Sequence, residues 1–396
     1  MPSRKKPGST QKKLSKNGLA AAQRVVVISP SAVRAVRSRL LLWYGVEKRQ
    51  LPWRECGDPY AIWLSETMLQ QTQVATVIPY YRRFLNRYPT VRHLAAAPLD
   101  DVLELWAGLG YYARARNLHR AANAVVNEFG GSFPRTAEAL QRLPGVGAYT
   151  AGAVASIAFG ECSPVVDGNV SRVLSRLFGL FVDIQSTDGR RRLWETAGRL
   201  VAPKNPGDFN QALMELGATV CLPKQAARCD VCPLVRLCAA YKAGNVAQLP
   251  IKARKSAVVR ETHAVAAIRS GQRWLFVKRP ESGLWGGLWE LPTQRNDAND
   301  EAVADSVTRL ASEQLDGDSA RAIFRTAARP FCDFTHQLTH RTIRFVGHVC
   351  TTSNTLRTQD TSRRRWMTLK QSARLGLSRG MRKIVELLRN SQETER

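Results

Sequence analysis

The sequence predicts a mainly α-helical module followed by a smaller α+β domain. Over the first 240 residues, apolar side chains recur with the 3.6-residue period of amphipathic helices. After residue 262 the pattern changes to alternating or continuous apolar runs, as in strands. We therefore expect a basic tail over 1–29, a helical module over 30–240, a linker over 241–262 and an α+β domain over 263–390.

Charge sets the class of partner. The 396 residues carry a formal net charge of +27, which favours a polyanionic partner, nucleic acid before acidic membrane. The first 46 residues contain no Asp or Glu. This composition is typical of a solvated, disordered tail and also of an organelle transit peptide. No apolar run reaches the roughly 18 residues of a membrane helix, so we expect no membrane partner.

The first helix is expected over 31–43, and the segment LPWR at 51–54 ends it. Asp58, a typical capping residue followed by proline, begins the second helix, which is expected to run to Gln73 and carries Glu66. A carboxyl among apolar neighbours is desolvated, so its pKa rises and it can act as a general acid. The alternative is a glutamate at the core's edge whose tip reaches water. The apolar neighbours of Glu66 one helical turn away are Ile62, Trp63 and Leu69.

Two glycine-rich turns follow. The segment GLGYYAR at 108–114 is either a tight turn between helices or an exposed loop whose Leu109 and Tyr111 wedge into a base stack. The segment LPGVG at 143–147 follows a short helix capped by Thr136, and it has the helix-hairpin-helix signature. Gly145 and Gly147 let backbone N–H groups approach a phosphate at the start of the next helix. Such a grip positions DNA without reading its sequence.

A helix ties this turn to Asp167, which is followed by Gly168 and Asn169. A phosphate-binding turn joined to a carboxylate indicates chemistry on a nucleic acid.

Four cysteines follow the helix predicted over 208–220 with the spacing C-x7-C-x2-C-x5-C: Cys221, Cys229, Cys232 and Cys238. Thiolates this close in sequence can share one metal centre. The spacing alone leaves an iron–sulfur cluster, zinc and no metal open, in that order of preference. The other four cysteines are scattered, which predicts buried thiols and not a disulfide framework.

In the second domain we expect strands over 263–269, 273–278, 331–335 and 341–349, and a closing helix over 379–389.

Five blocks in order carry a family resemblance: LPWR (51–54), WLSETMLQQTQV (63–74), GLGYYARARNL (108–118), LPGVGAYTAGA (143–153) and VDGNVSRVL (166–174). Together they resemble the MutY-type adenine DNA glycosylases of the helix-hairpin-helix superfamily. The resemblance covers about residues 31–240 and extends through RPESGLWGGLWELP (279–292) into a NUDIX-like domain. It implies two α subdomains with an iron–sulfur loop at 221–238, followed by a C-terminal NUDIX-like α+β domain.

The resemblance also implies residue roles. Glu66 is the acid that protonates adenine, Asp167 faces the sugar, and Asn169 and Tyr149 support them by hydrogen bonds. The four cysteines bind a [4Fe–4S] cluster, although seven residues separate Cys221 from Cys229 where the family usually has six. The residues implied in DNA binding are Arg54, Gln71, Thr72, Leu109, Gly110, Tyr111, Gly145 and Gly147.

The NUDIX-like domain is expected to recognise 8-oxoguanine and not to hydrolyse nucleotides. No helix of the metal-binding form REx2EE follows Gly286 and Gly287. Where the family reads 8-oxoguanine with Phe-Ser-His, this chain has Leu338, Thr339 and His340, which depart from that motif at the first position. The alternative is that His340 and a neighbouring histidine only line a sheet edge.

The predicted function is hydrolysis of the N-glycosidic bond of adenine paired with 8-oxoguanine or guanine in double-stranded DNA. Glu66 protonates the flipped base, and Asp167 stabilises the positive charge on the sugar. By analogy with retaining sugar hydrolases, Asp167 attacks and Glu66 then activates water.

A lyase of the endonuclease III type would need a lysine where this chain has Tyr149, so we expect a monofunctional enzyme. The alternatives are an endonuclease III-like pyrimidine glycosylase, a thymine-mismatch glycosylase and a non-catalytic iron–sulfur DNA-binding protein. We expect a monomer in the cytoplasm at the bacterial nucleoid, or in the nucleus or mitochondrion of a eukaryote.

Overall fold

A computed structural model describes residues 28–54, 56–253, 258–296, 300–314, 324–327, 329–338, 340–352 and 359–394. The predicted basic tail up to residue 27 and Thr339 of the expected recognition motif lie outside these residues. The described chain forms two compact units. The first holds the described residues within 1–62, 135–142 and 146–254, and the second those within 63–134, 143–145 and 255–396.

The N-terminal part of the chain is helical, as its apolar periodicity predicts. Its α-helices are, in order, α1 Pro30–Glu47, α2 Pro59–Leu69, α3 Val74–Arg87, α4 Val91–Ala96, α5 Leu99–Trp106, α6 Ala113–Glu128, α7 Ala137–Leu140, α8 Ala148–Phe159, α9 Gly168–Phe178, α10 Thr187–Leu200, α11 Pro206–Thr219 and α12 Ala239–Lys242.

Side-chain caps mark the starts of several of these helices. Asp58 accepts a hydrogen bond from the backbone N–H of Tyr60 at the start of α2, and Thr136 accepts one from Ala139 at the start of α7. Each cap satisfies a backbone donor that has no partner within its helix. These caps and the predicted helices from 31–43 onward are confirmed, but α2 ends at Leu69.

The first unit packs its helices closely because small residues lie at the contacts. A Cβ atom on Gly152 of α8 would lie 2.3 Å from the carbonyl oxygen of Pro164, and one on Gly207 of α11 would lie 2.7 Å from that of Ser156. Asn210 of α11 is buried and donates to the Ser156 hydroxyl at 2.9 Å. These contacts fix α8 against α11 and lead the chain into the segment before α9.

The C-terminal domain contains a mixed sheet, as the change of period predicts. Its strands are β1 Val259–Ser270, β2 Arg273–Lys278, β3 Trp289–Glu290, β4 Thr293–Asn296, β5 Phe324–Thr326, β6 Cys332–Gln337, β7 Arg341–Thr352 and β8 Arg364–Met367, with helices α13 Asp300–Glu313 and α14 Arg379–Thr394. Along the sheet the strands follow the order β3-β2-β1-β7-β5, with β4 on β1, β6 on β7 and β8 on β2. The central pair, β1 and β7, is parallel.

Helices cover both faces of this sheet. Ala264, Ala266 and Ile268 of β1 pack in a buried cluster with α13, whereas Val265 and Ala267 pack in a second cluster with α14. Successive residues of a strand point to opposite faces, so β1 is buried on both sides. This explains why the central strand has a continuous apolar run and not alternation.

Within the second unit, the C-terminal domain contacts the helices that precede residue 134. Lys278 of β2 forms an ion pair with Asp100 of α5 at 2.6 Å. A Cβ atom on Gly376 would lie 3.3 Å from the Leu103 side chain of the same helix. Among the described residues, no helix has the length and apolar character required to cross a bilayer.

Candidate active site

Glu66 lies on α2 in the second unit, and its residue is only 5% exposed. The helix around it is buried on almost every side: Trp63 is 1% exposed and Met68 is fully buried. Trp63 also packs edge-on against Phe133, with 5.3 Å between ring centroids. The buried position predicted for Glu66 is confirmed, and the alternative of a glutamate whose tip reaches bulk water is not supported.

Asp167, in the first unit, is the N-cap of α9. Its side chain accepts a hydrogen bond of 2.6 Å from the backbone N–H of Val170 and one of 3.1 Å from the Asn169 amide. Desolvation raises the pKa of Asp167, although these hydrogen bonds oppose the rise. The carboxylate is therefore held in place in a poorly solvated position, where it acts strongly on a nearby positive charge.

Asn169 is fixed from both ends of its amide. While its nitrogen donates to Asp167, its oxygen accepts a 2.9 Å hydrogen bond from Arg172. Arg172 also donates to the carbonyls of Gly217 and Cys221. Gly217 of α11 makes room, because a Cβ atom there would lie 2.7 Å from that of Asn169. Sequence reasoning missed Arg172, although its position three residues after Asn169 places both on one face of α9.

Tyr149 lies in the first turn of α8 and is half-buried. Its hydroxyl lies 3.1 Å from the sulfur of Met214 on α11. The side chain at this position is thus a phenol held in the packing of the first unit.

The hairpin before α8 has the backbone that its glycines predict. Gly145 has a φ of +75°, and a Cβ atom there would lie 2.4 Å from the Asn117 side chain. Both the conformation and the contact require glycine. Gly147 is exposed and is the N-cap of α8. Exposed backbone at a helix N-terminus suits an anion.

The loop 108–112 differs from its prediction at one residue. Leu109 is 5% exposed, so the expectation that it projects from an exposed loop is wrong. Positive φ angles at Gly108 and Gly110 turn this side chain inward. Tyr111 is 47% exposed and itself has a φ of +48°, which is uncommon for a non-glycine residue. Tyr111 alone remains a candidate wedge.

Gln71 and Thr72 lie in the turn after α2 instead of within that helix. Gln71 is exposed with a φ of +58°, and Thr72 is half-buried. The Thr72 hydroxyl accepts a hydrogen bond of 3.2 Å from Arg114, whose guanidinium also donates to the carbonyl of Gly110. Arg114 therefore joins the turn after α2 to the loop 108–112, within the second unit.

Arg54, expected to bind DNA, is committed elsewhere. Its guanidinium donates to Glu215 at 2.6 Å and to the Arg49 carbonyl at 2.9 Å, and its side chain is only 11% exposed. Glu215 is fully buried and also pairs with Arg49. A carboxylate this deeply buried is stabilised by both cations, so Arg54 is held in this ion pair, and its role in DNA binding stays a prediction.

The four clustered cysteines lie in a loop of short 3-10 turns and line one cavity together with Arg176. Arg176 donates to the Cys221 sulfur at 3.4 Å, and its own carbonyl accepts from Cys238 at the same distance. Burial raises the pKa of the Cys232 thiol to about 11, so metal binding has to displace its proton. Within the described residues, no three His, Cys, Asp or Glu side chains close around a single metal ion.

The expected recognition motif lies at the hairpin between β6 and β7. Leu338 is half-buried against the core under α14, and its N–H donates to the Arg341 carbonyl at 2.8 Å. His340 is exposed, and its carbonyl accepts from Val259 at the start of β1. The packing of Leu338 shows that its apolar side chain anchors the hairpin, whereas His340 is available to a ligand.

Two family models match the chain in the same order as the two parts of the fold. Residues 64–198 match the HhH-GPD superfamily base excision DNA repair protein model, and residues 264–387 match the NUDIX domain model. The second match is consistent with a sheet between two helices. The sequence of α13, DEAVADSVTRLASE, lacks the REx2EE pattern that a working NUDIX hydrolase uses to bind metal.

Three relatives match about two thirds or more of the chain. The adenine DNA glycosylase of Homo sapiens is 38% identical over 423 residues, covering 91% of this chain and 75% of that protein. The mouse adenine DNA glycosylase is 45% identical over a match that covers 66% of this chain and 61% of the mouse protein. That of Buchnera aphidicola subsp. Schizaphis graminum is 31% identical, covering 89% of this chain and 99% of its own. The chain therefore belongs to the adenine DNA glycosylase family, whose members hydrolyse N-glycosyl bonds in base-excision repair.

Proposed function

We propose that this protein removes adenine paired with 8-oxoguanine or guanine from double-stranded DNA, and that it leaves the DNA backbone intact. The observation that carries this proposal is Asp167, a desolvated carboxylate held by Asn169 and by the first turn of α9. A carboxylate in this state suits a reaction in which positive charge develops on a sugar. The buried carboxyl of Glu66 suits the other half of the reaction, in which a general acid gives a proton to the base.

In the proposed reaction the adenine leaves the base stack, which costs a few kcal/mol. Glu66 gives its proton to the adenine ring, and the bond from that ring to the sugar then breaks with its electron pair on the base. Asp167 stabilises the cationic sugar and attacks it, after which Glu66 takes a proton from water as the water displaces Asp167. The products are free adenine and an abasic site.

The side chain at position 149 supports the monofunctional assignment. A glycosylase with lyase activity needs an amine that attacks the sugar and forms a Schiff base. Tyr149 offers a phenol, which cannot form one. We therefore favour this function over an endonuclease III-like lyase, and the family match favours it over a non-catalytic iron–sulfur protein.

DNA contacts are proposed at exposed backbone and at one ring. Gly145 and Gly147 bind a phosphate through backbone N–H groups, and Tyr111 enters the base stack. Gly110, Gln71 and Thr72 line the approach to it. This assignment rests on the exposure of the glycines and of Tyr111 and on the link that Arg114 makes between the two loops.

The cysteine loop is proposed to hold a [4Fe–4S] cluster. Its four thiols line one cavity, and in such a cluster each thiolate would bind a different iron. The guanidinium of Arg176 beside Cys221 would offset the negative charge of the thiolates. The cluster would hold the loop in shape. Arg172 donates to the Cys221 carbonyl and to Asn169, so a well-ordered loop helps to position the groups around Asp167.

The segment 338–340 is proposed to recognise the base opposite adenine, with the side chain of His340 and the hydroxyl of Thr339 as hydrogen-bonding groups. The exposure of His340 and the absence of the REx2EE pattern from the sequence of α13 support recognition over hydrolysis. We also propose that the enzyme works as a monomer on chromosomal DNA, in a bacterial nucleoid or in the nucleus or mitochondrion of a eukaryote.

Glu66→Gln tests the acid assignment. This change keeps the size of the side chain but removes the proton donor, so we expect adenine release to slow by about 10²- to 10⁴-fold. Binding to DNA with adenine opposite 8-oxoguanine should remain. The control is Glu128→Gln, because Glu128 is an exposed glutamate at the end of α6. Turnover of the Glu66 variant within threefold of the unaltered enzyme would contradict the assignment.

A further inference from the structure

We propose that Tyr112 is a positioning residue that couples the C-terminal domain to the loop 108–112, and that it makes catalysis depend on the base opposite adenine. This inference rests on the proposed function. Four sets of contacts, all within the second compact unit, lead from the C-terminal domain through Tyr112 to the helix that carries Glu66.

The first contact joins the two parts directly. Tyr112 precedes α6 and is buried, and its hydroxyl donates to the carbonyl of Leu377 at 2.9 Å. The acceptor is part of the C-terminal domain, because Leu377 forms a β-bridge with Trp289 of β3. The backbone N–H of Trp289 also donates a hydrogen bond to the carbonyl of Gly376, next to Leu377. Burial raises the pKa of Tyr112, so its hydroxyl keeps its proton and remains a donor.

The second contact lies near the recognition hairpin. Arg116, one turn further along α6, donates to the carbonyl of Gly286. The adjacent Trp285 lies with its ring 6.4 Å from that of His336 on β6. Strand β6 leads directly into the hairpin 338–340. A shift of this hairpin on binding a base is therefore passed to the segment that Arg116 and Tyr112 hold.

The third set of contacts lies on the other side of Tyr112. Its chain neighbour Tyr111 is the exposed side chain of the loop, held at a φ of +48°. The guanidinium of Arg114 lies 5.6 Å from the Tyr111 ring centroid. A loop held in an uncommon conformation depends on its surroundings, so a change at Tyr112 alters how Tyr111 is presented.

The fourth set reaches the helix that carries Glu66. Arg114 donates to three carbonyls at the end of α2, those of Thr67, Met68 and Gln70, at distances of 2.6–2.9 Å. The same side chain is 9% exposed, so these bonds are sheltered from water. The orientation of the loop and the end of α2 are therefore linked through one guanidinium.

Tyr112→Phe removes only the hydroxyl. The chain offers a matched control, Tyr80→Phe. The Tyr80 hydroxyl also donates at 2.9 Å to a backbone carbonyl, that of Ala107 at the start of the same loop, but it does not reach the C-terminal domain. Both variants lose one tyrosine hydrogen bond at the loop. Only the first loses a contact to the domain that reads the opposite base.

The experiment measures single-turnover rates of adenine release, with enzyme in excess, on duplexes with adenine opposite 8-oxoguanine and opposite guanine. We expect the ratio of the rate opposite 8-oxoguanine to the rate opposite guanine to fall about two- to tenfold in Tyr112→Phe. This is the range that the loss of one hydrogen bond produces. The fall should come from the 8-oxoguanine duplex. Tyr80→Phe should keep the ratio of the unaltered enzyme, even if both of its rates decrease.

Four results would contradict the proposed coupling through Tyr112. A ratio near one in the unaltered enzyme would overturn both the proposed substrate preference and this inference. A high ratio that Tyr112→Phe retains would overturn the inference alone, and so would an equal fall in both tyrosine variants. In the double variant that combines Tyr112→Phe with His340→Ala, the rate ratio should fall by less than the product of the falls in the two single variants. Independent, multiplying losses would contradict coupling.

Discussion

Asp167→Asn is expected to separate catalysis from stability. The change keeps a side-chain oxygen at the N-cap of α9, and asparagine caps helices about as well as aspartate. It replaces the carboxylate oxygen that accepts from Asn169 by a donor, and loss of that hydrogen bond costs about 1 kcal/mol. It also removes a charge that burial disfavours. The free energy of unfolding at pH 7 should therefore stay within about 1 kcal/mol of the original value.

The pH dependence follows from the direction of the pKa shift. The folded protein raises the pKa of Asp167, so the cost of its charge is absent below the unfolded-state pKa, roughly 4. The cost grows as pH rises through the folded-state pKa and is complete above it. Urea unfolding at pH 7 and at about pH 4 should show the unaltered protein gaining stability relative to Asp167→Asn as pH falls. Asp167→Ala should be less stable than Asp167→Asn by about 1 kcal/mol, because it lacks a cap.

Activity should respond quite differently. Loss of one fixed charge opposite a developing cation is expected to slow adenine release by about 10²- to 10³-fold. The assay is single-turnover release from freshly purified protein, because an amide before Gly168 can hydrolyse back to a carboxylate. Asp58→Asn is the control, since Asp58 caps α2 but is exposed. Release within threefold of the original rate would refute the role of Asp167, and a loss of stability above about 3 kcal/mol would refute the reading of its energetics.

Three further predictions concern other parts of the chain. Burial alone would raise the pKa of Glu215, but its two arginine partners outweigh burial and hold the pKa below its ordinary value. Glu215→Gln should cost about 3 kcal/mol in urea unfolding at pH 7 and less as pH falls through that pKa, and an unchanged midpoint would contradict this. Cys221→Ser should remove the visible absorption that the proposed iron–sulfur cluster would give the purified protein, whereas the exposed Cys162→Ser should keep it; retention in both would exclude Cys221 as a ligand. Because the phenol of Tyr149 cannot form a Schiff base, borohydride should trap no covalent adduct between the enzyme and DNA. A high yield of adduct would contradict a monofunctional enzyme.

Local pattern was enough to predict much of the fold. The buried helix around Glu66, the caps at Asp58 and Thr136, and the strand Arg273–Lys278 all follow from short-range periodicity and turn chemistry. These features depend on residues within one or two turns of each other. The N-cap at Asp167 was not predicted, although a polar residue before glycine and an amphipathic run is a local signal of a helix start.

Long-range contacts account for what the sequence could not predict. Arg54 is occupied by Glu215, which lies 161 residues further along the chain. Leu109 turns inward because of the conformation of its flanking glycines, and glycine itself does not reveal the sign of φ. The hydrogen bond from Tyr112 to Leu377 spans 265 residues. Partners this distant have no periodicity between them, so only the folded chain brings them together.

The most direct test of the central claim is adenine release from four duplexes, with adenine opposite 8-oxoguanine, guanine, cytosine and thymine. Single-turnover rates with enzyme in excess isolate the chemical step from product release. We predict fastest release opposite 8-oxoguanine, slower release opposite guanine and little opposite cytosine or thymine, with free adenine and an uncut abasic strand as products. Equal rates on all four duplexes, or release of thymine in place of adenine, would contradict the account.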